Sequence, residues 1–344
     1  MWEEKKKVIN YIYQLVNPQF ISVKYEDTNI DGNVLVRPRY MSICQADQRY
    51  YLGNRNLKTL SEKLPMALIH ECCGEVLQDK SGTFKQGDRV VLIPNIPGSE
   101  RDGIFENYLE DSHFMSSGYD GFMCEFVAMQ PRQLVAVPDI PYQTATMCEL
   151  FSVALHAVKR LDAAAHQYRD TIGIWGDGSV AFMIACALKA KMPKSRIVVV
   201  GKNSRKLSRF SFVAETYLTY TVPPELKVDH AFECVGGEGC YDAIRDIIAH
   251  IRPQGTVGLL GVSENYVSID TRSILEKGLT LIGNSRSGRE DFIEAAQLMK
   301  SQRIRRRLGT IIHEDEPVKS VEDIHRVFAT DLNTPFKTVF EWRL

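Results

Sequence analysis

No run of about 18 apolar residues occurs in this sequence, so no hydrophobic membrane-spanning helix is expected. The opening residues, MWEEKKKVINYIYQLV, have no long apolar core and no small-residue cleavage site, so no secretory signal peptide is expected either. An excess of one charge is also missing. The chain carries 42 Lys and Arg against 43 Asp and Glu, a net charge of −1. That balance leaves no general footprint for nucleic acid or an anionic membrane surface. Eight cysteines among 344 residues are too sparse for a disulfide framework and fit reduced thiols, with a metal ligand among them, in the cytoplasm. The stretch from Asn95 to Ser117 holds no cysteine, so a C-x-x-C-x-x-C cluster for a structural zinc is absent there. Internal repeats and low-complexity tracts are lacking as well.

What is present begins with length and composition: 344 residues, 44% hydrophobic, suit a globular protein of about two domains. The stretch from Thr171 to Ala190, TIGIWGDGSVAFMIACALKA, reads as an apolar strand, a tight turn at Gly176-Asp177-Gly178, and an apolar helix. A helix N-terminus presents unpaired N–H groups and a positive dipole end, which suits a pyrophosphate. Gly176 permits the sharp turn and Gly178 removes a Cβ from the path of a phosphate. Ser179 opens the helix, and Ala181 is the small residue that lets helix and strand pack closely. Together they make G-x-G-x-x-A.

Further strands alternate with helices on the C-terminal side of that turn. Arg196 to Val200 is a β-branched run, and His230 to Gly237, Gly255 to Gly261 and Leu279 to Gly283 repeat the strand-then-glycine pattern. Tyr241 to Ile251 fits an intervening helix. Such alternation predicts a doubly wound parallel sheet with ligands at the carboxyl ends of its strands. A site for NAD would place Asp or Glu at the end of the second strand, to bond the ribose 2′-hydroxyl. Gly201 stands there instead, followed by Lys202, Arg205 and Lys206, which would attract a 2′-phosphate. NADPH is the cofactor this pattern predicts. Ser285-Arg286-Ser287-Gly288-Arg289 offers further cations for cofactor or substrate phosphate, whereas Arg303 to Arg307 reads as a solvated helix face.

The first half has a different texture. FISVKY, VLVRP, the Gly87-Asp88-Arg89-Val90 turn and the strand-like Gly118 to Met129 give many short strands with turn signals, a β-rich domain. Cys44, His70, Glu71, Cys148 and Glu149 are the ligand types that Zn²⁺ takes. Each also has an ordinary structural explanation. An isolated Cys packs as a small buried residue, a lone His as a hydrogen-bonded core residue, and a helix-start Glu meets the dipole. Cys148 and Glu149 are neighbours pointing about 100° apart on a helix, so only one would face a shared metal, and spacing does not choose between them.

Taken together, these motifs resemble the zinc-dependent medium-chain dehydrogenase/reductase family over almost the whole chain. They are C-x-x-D at Cys44 to Asp47, H-E-x-x-G at His70 to Gly74, the G-D-R-V turn, C-E-L-x-S-V-A-L-H-A from Cys148, and the dinucleotide turn. The resemblance implies a GroES-like catalytic domain over 1–150, completed by 317–344, and a Rossmann domain over 151–316. It implies catalytic zinc on Cys44, His70 and Glu149, with Glu71 a fourth or exchanging ligand and Cys148 in the packing. A narrower likeness runs through Tyr40 to Tyr51, Leu64 to Glu71, Ser117 to Met123, Gly261 to Glu264, Leu275 to Leu279 and Ser285 to Gly288. These segments look like the bacterial ribulose-5-phosphate reductases, which make D-ribitol 5-phosphate with NADPH. A cytidylyltransferase then forms CDP-ribitol for teichoic acid or capsule polymers.

The resemblance implies a cytoplasmic homodimer acting on ribulose 5-phosphate, with the cytidylyltransferase as functional partner and no nucleic-acid or membrane partner. Arg49, Arg286 and Arg289 are the candidates for the substrate phosphate, because Arg matches phosphate bidentately. Two departures stand out. Ala46 replaces the Ser or Thr that serves many members as a proton-relay hydroxyl. Ile69 replaces the small residue before His-Glu, a change expected to alter only packing. The rival expectations are an NAD-linked polyol dehydrogenase acting on an unphosphorylated sugar alcohol, and a non-catalytic NADPH-binding protein.

Overall fold

A computed structural model describes residues 7–344. Two compact units form: one takes the chain up to Ser152 together with Ser287–Leu344, and the other is Val153–Arg286.

The first unit is β-rich. Its main sheet runs in the order Leu134–Ala136, Arg89–Leu92, Glu71–Asp79, Val34–Ser42, Lys337–Trp342, Ile312–Val318, with Val127–Met129 also pairing to Val34–Ser42. A smaller sheet orders Phe20–Asn29, Lys7–Asn17 and Met66–Ala67. The core between them is closed by Leu15, Met41, Leu68, Phe122, Phe328 and Phe340, all essentially buried. Register matters for the chemistry that follows. Ser42 pairs with Glu71, so the chain leaving one strand at Ile43-Cys44 lies beside the start of the next at His70-Glu71.

The second unit is a six-stranded parallel sheet in the order Glu215–Leu218, Arg196–Gly201, Thr171–Trp175, His230–Glu233, Thr256–Leu259, Thr280–Gly283. Numbered along the chain from Thr171, that is 3-2-1-4-5-6, the doubly wound order. The central strands are covered on both faces, which is why Ile172 to Trp175 and Ile197 to Gly201 are buried without alternation. The helix Ser179–Lys191 has Ala181 to Leu188 all buried, so its apolar residues run right round it. Among the described residues, no helix is long and apolar enough to cross a membrane.

Two local expectations change, and two elements form that no expectation covered. The strand Lys7–Asn17 carries no strict alternation, since apolar residues lie on both faces while Ile12 and Leu15 are buried. Gly118 to Met129 forms a strand only at Val127–Met129. Phe122 and Met123 are apolar because they are buried in irregular chain, their N–H groups bonding the Ile69 and Leu68 carbonyls. The irregular stretch after Asn95 contains a small ribbon, Asn95–Ile96 against His113–Phe114. Finally, the chain rejoins the first unit at Ser287, well before Pro317. The helix Arg289–Met299 is tied there by Cys148 Sγ to the Phe292 carbonyl at 3.7 Å and by Arg289 Nη1 to the Leu134 carbonyl at 2.9 Å.

Candidate active site

In the first unit, the Cys44 thiol, a His70 ring nitrogen and a Glu71 carboxylate oxygen all lie within 4.8 Å of one another. Cys44 precedes the helix Gln45–Tyr51, and Glu71 opens the strand Glu71–Asp79. A buried carboxylate organises the group. Asp47 Oδ2 accepts the Cys44 N–H at 3.2 Å, and Oδ1 accepts the Ile69 N–H at 3.0 Å. Ser116 donates its hydroxyl to Asp47 Oδ1 at 3.2 Å and lies 2.8 Å from His70 Nδ1. With its one proton given to Asp47, the Ser116 oxygen accepts from His70 Nδ1–H. That places a proton on Nδ1, and a bound metal would take the lone pair of Nε2.

The electrostatics follow from burial and neighbours. Burial resists charge on His70, but Asp47 and Cys44 together outweigh it and raise the proton affinity of the ring well above its ordinary value. Burial likewise opposes charge on Asp47, and His70 with the backbone donors reverses this and lowers it. Lys337 is buried beside Glu71, with Nζ donating to Oε1 at 2.6 Å and to the Ile43 carbonyl at 2.7 Å. Glu71 Oε2 is buried with no hydrogen-bond partner among the described residues. A buried, unpartnered carboxylate oxygen beside a thiol and an imidazole is the donor set of a zinc site, so the residues present fit the metal. Glu149 is buried nearby. Burial pushes its carboxyl up to about 7, with Glu71 adding to the rise and His70 opposing it. It falls outside the group whose ligand atoms meet within 4.8 Å, so the geometry centres on Cys44, His70 and Glu71. Those three come from paired strand ends, whereas Glu149 comes from the helix Cys148–Ala164.

Ile69 departs from the packing-only expectation. Its φ is +69°, a left-handed conformation that a β-branched residue adopts only under constraint. Both of its backbone groups are held, the N–H by Asp47 and the carbonyl by the Phe122 N–H at 2.8 Å.

The second unit carries a separate cavity of about 460 Å³ at the carboxyl ends of its central strands. It is lined by the Trp175 to Gly178 turn, by Gly201, Lys202 and Lys206, and by Asp242, Arg245 and Asp246 from the helix Cys240–His250. Gly176 has φ +134°, and a Cβ there would lie 2.8 Å from the Cys234 carbonyl oxygen. A Cβ at Gly178 would meet nothing within 4 Å, so this side of the turn is open for a phosphate. Ser179 starts the helix and Ala181 is fully buried behind it. Of the three expected cations, Lys202 and Lys206 line the cavity and Arg205 does not. Arg245, from a helix far along the chain, lines it without having been expected.

The phosphate candidates part company. Arg289 spends Nη1 on the carbonyls of Arg132 and Leu134, so its guanidinium holds the fold together. Arg49 lies on the helix Gln45–Tyr51. Arg286, in the second unit, takes a φ of +61°, and burial lowers its proton affinity. Sequence reading missed Ser116 and Lys337 altogether. Asp47 was visible in C-x-x-D but carried no assigned role.

The family model for the alcohol dehydrogenase GroES-like domain matches residues 30–139. The ribulose-5-phosphate reductase of Streptococcus pneumoniae is 50% identical over 341 residues, covering 98% of this chain and 99% of that protein. The ribulose-5-phosphate reductase of Bacillus spizizenii is 48% identical, covering 98% and 100%. The chain belongs to the ribulose-5-phosphate reductases, within the medium-chain dehydrogenase/reductase family. The crystal structure of S. aureus TarJ in complex with NADPH superposes with a TM-score of 0.87 at 41% identity, covering 98% of this chain and 100% of that one. The fold of this reductase is therefore the GroES-like unit plus parallel-sheet unit of that family.

Proposed function

We propose that this enzyme reduces D-ribulose 5-phosphate to D-ribitol 5-phosphate, consuming one NADPH and one proton and releasing NADP⁺. The observation that carries the reading is the Cys44–His70–Glu71 cluster with its unpartnered Glu71 oxygen. The cationic cavity beside the glycine turn and the names of the full-length relatives support it. When bound, zinc would draw electron density from the substrate C2 carbonyl, and NADPH would supply the hydride.

The chain's own residues do the rest. Cys44, His70 and Glu71 would hold the metal, and Glu149, buried beside them, would be available as a further ligand. Asp47 acts through Ser116 to keep the proton on His70 Nδ1, and it fixes the backbone on both sides of the pair. Lys337 balances the Glu71 charge in a place water does not reach. Gly176 to Ser179 receive the pyrophosphate, while Lys202 and Lys206 meet the 2′-phosphate. Arg49 and Arg286 are the candidates for the substrate phosphate. Ala46 offers no hydroxyl, so the proton reaches the product from water or a nearby carboxylate.

This reading extends, on resemblance alone, to a cytoplasmic homodimer that supplies a cytidylyltransferase for CDP-ribitol synthesis. An NAD-linked polyol dehydrogenase fits less well, because the second strand ends in Gly201, and Lys202 and Lys206 line the cavity beside it. A non-catalytic NADPH binder has no use for the buried ligand set. Steady-state kinetics test the reading. NADPH with ribulose 5-phosphate should turn over far faster than NADPH with ribulose, and a zinc chelator should abolish the rate. Equal rates on the two sugars, or full activity without metal, would overturn it.

A further inference from the structure

One carboxylate joins the glycine turn to the end of the neighbouring strand. Asp177, the middle residue of Gly176-Asp177-Gly178, accepts the backbone N–H of Lys202 and that of Asn203 on the same oxygen, each at 2.7 Å. Gly201 completes the fit, because a Cβ there would lie 2.6 Å from Asp177 Cβ and 2.7 Å from Oδ2. Asn203 then accepts the Lys206 N–H on its own side chain at 3.1 Å. A chain of three short bonds therefore runs from the turn to the backbones of Lys202 and Lys206, both of which line the cavity.

In a doubly wound sheet, the end of the second strand is where a carboxylate side chain reads the ribose 2′-hydroxyl. Here that strand ends in glycine, and a carboxylate reaches the same corner from the turn. Two backbone N–H donors occupy its Oδ2, so that oxygen is not open to a ribose hydroxyl. The bulk of Asp177 also excludes any side chain at position 201.

We propose that Asp177 is the positioning residue that sets cofactor selectivity. It fills the place of a ribose-reading carboxylate, keeps position 201 bare, and holds the following loop so that Lys202 and Lys206 face the 2′-phosphate of NADPH. This deepens the NADPH reading given above and rests on it.

Calorimetric titration of the intact enzyme with NADPH and with NADH tests it, using Asp177→Ala, Asp177→Asn, Gly201→Asp and the double variant Asp177→Gly with Gly201→Asp. Asp177→Ala should lose about tenfold in NADPH affinity while NADH affinity moves far less, as expected for loosened charge-assisted contacts. Asp177→Asn should recover much of this, because its carbonyl still accepts both N–H groups. Gly201→Asp alone should bind both cofactors poorly, since its Cβ collides with Asp177. The double variant, with that bulk removed, should prefer NADH. The proposal is overturned by an undiminished NADPH preference in Asp177→Ala, or by Gly201→Asp alone producing an NADH enzyme. A wild-type enzyme indifferent to the 2′-phosphate instead overturns the NADPH reading itself.

Discussion

Lys337 and Glu71 form a buried ion pair at 2.6 Å, with side-chain exposures of 4% and 0%. Burial lowers the proton affinity of the ammonium, but Glu71 first, with Cys44 and Asp331 adding to it, outweighs that and raises it above the ordinary lysine value. The pair leaves Glu71 Oε2 with no hydrogen-bond partner among the described residues. One oxygen is thus fixed by the protein and the other is left for a metal.

Replacing Lys337 with Met should be strongly destabilising. Breaking a buried pair by removing one partner costs about 3–5 kcal/mol, because the remaining charge stays uncompensated. If Glu71 faces a zinc ion, the metal supplies part of the missing positive charge. The loss in unfolding free energy should then be smaller in zinc-loaded enzyme than in chelator-treated enzyme. Urea unfolding of both forms checks this, and identical losses would show that Glu71 does not face the metal.

Asp47→Asn should weaken metal retention and also cost about 1–3 kcal/mol of stability, because the Asn NH2 group cannot accept the Cys44 N–H that Asp47 Oδ2 accepts. Asn keeps an acceptor for the Ile69 N–H, yet it removes the charge that reaches His70 through Ser116. Loss of a carboxylate that orients a metal-binding His typically costs roughly 10- to 100-fold in metal affinity. Competition with a chromogenic chelator measures this directly, and unchanged affinity would mean that His70 is oriented by packing alone.

Lys202→Ala should weaken NADPH by roughly ten- to a hundredfold, the equivalent of one charge-assisted hydrogen bond, and leave NADH nearly unchanged. Arg205→Ala should leave both affinities nearly unchanged, since Arg205 does not line the cavity. Comparison of KM for the two cofactors in each variant decides the matter. Equal losses for both cofactors in Lys202→Ala would remove Lys202 from the 2′-phosphate site.

Much of this was legible because local sequence controls it. The runs TIGIW and RIVVVG announce buried parallel strands, and the glycine turn between strand and helix announces a cofactor site. Cys44, His70 and Glu71 are legible as ligand types. Their convergence depends on the pairing of Ser42 with Glu71, which is tertiary information. Lys337 lies 266 residues from Glu71, and nothing in its local sequence marks it as a counter-ion. The bonds of Arg289 were hidden for the same reason, because its partners are carbonyl groups far away in the chain. Asp177 looked like a plain turn residue, as its two bonds depend on how closely one strand end approaches the next.

The acid limb of stability should depend on His230, away from the ligand cluster. This ring is fully buried. Its Nδ1 accepts the Thr256 N–H at 3.1 Å, so the proton is on Nε2, which donates to the Tyr168 carbonyl at 3.0 Å. A second proton would displace Thr256 and charge a ring 4.4 Å from His166. Burial first, and His166 second, lower its pKa from 6.5 to about 4. Between those values the unfolded chain binds a proton that the folded chain refuses. Stability is therefore complete above pH 6.5 and drains away as the pH falls towards 4. A depression of this size is worth on the order of 3 kcal/mol. His230→Phe should be less stable at pH 7.5, because it orphans the Thr256 N–H and the Tyr168 carbonyl. It should also lose less stability than wild type on going to pH 4.5, so the two curves converge. Urea midpoints at several pH values test this, and parallel curves for the two proteins would show that His230 titrates normally in the folded state.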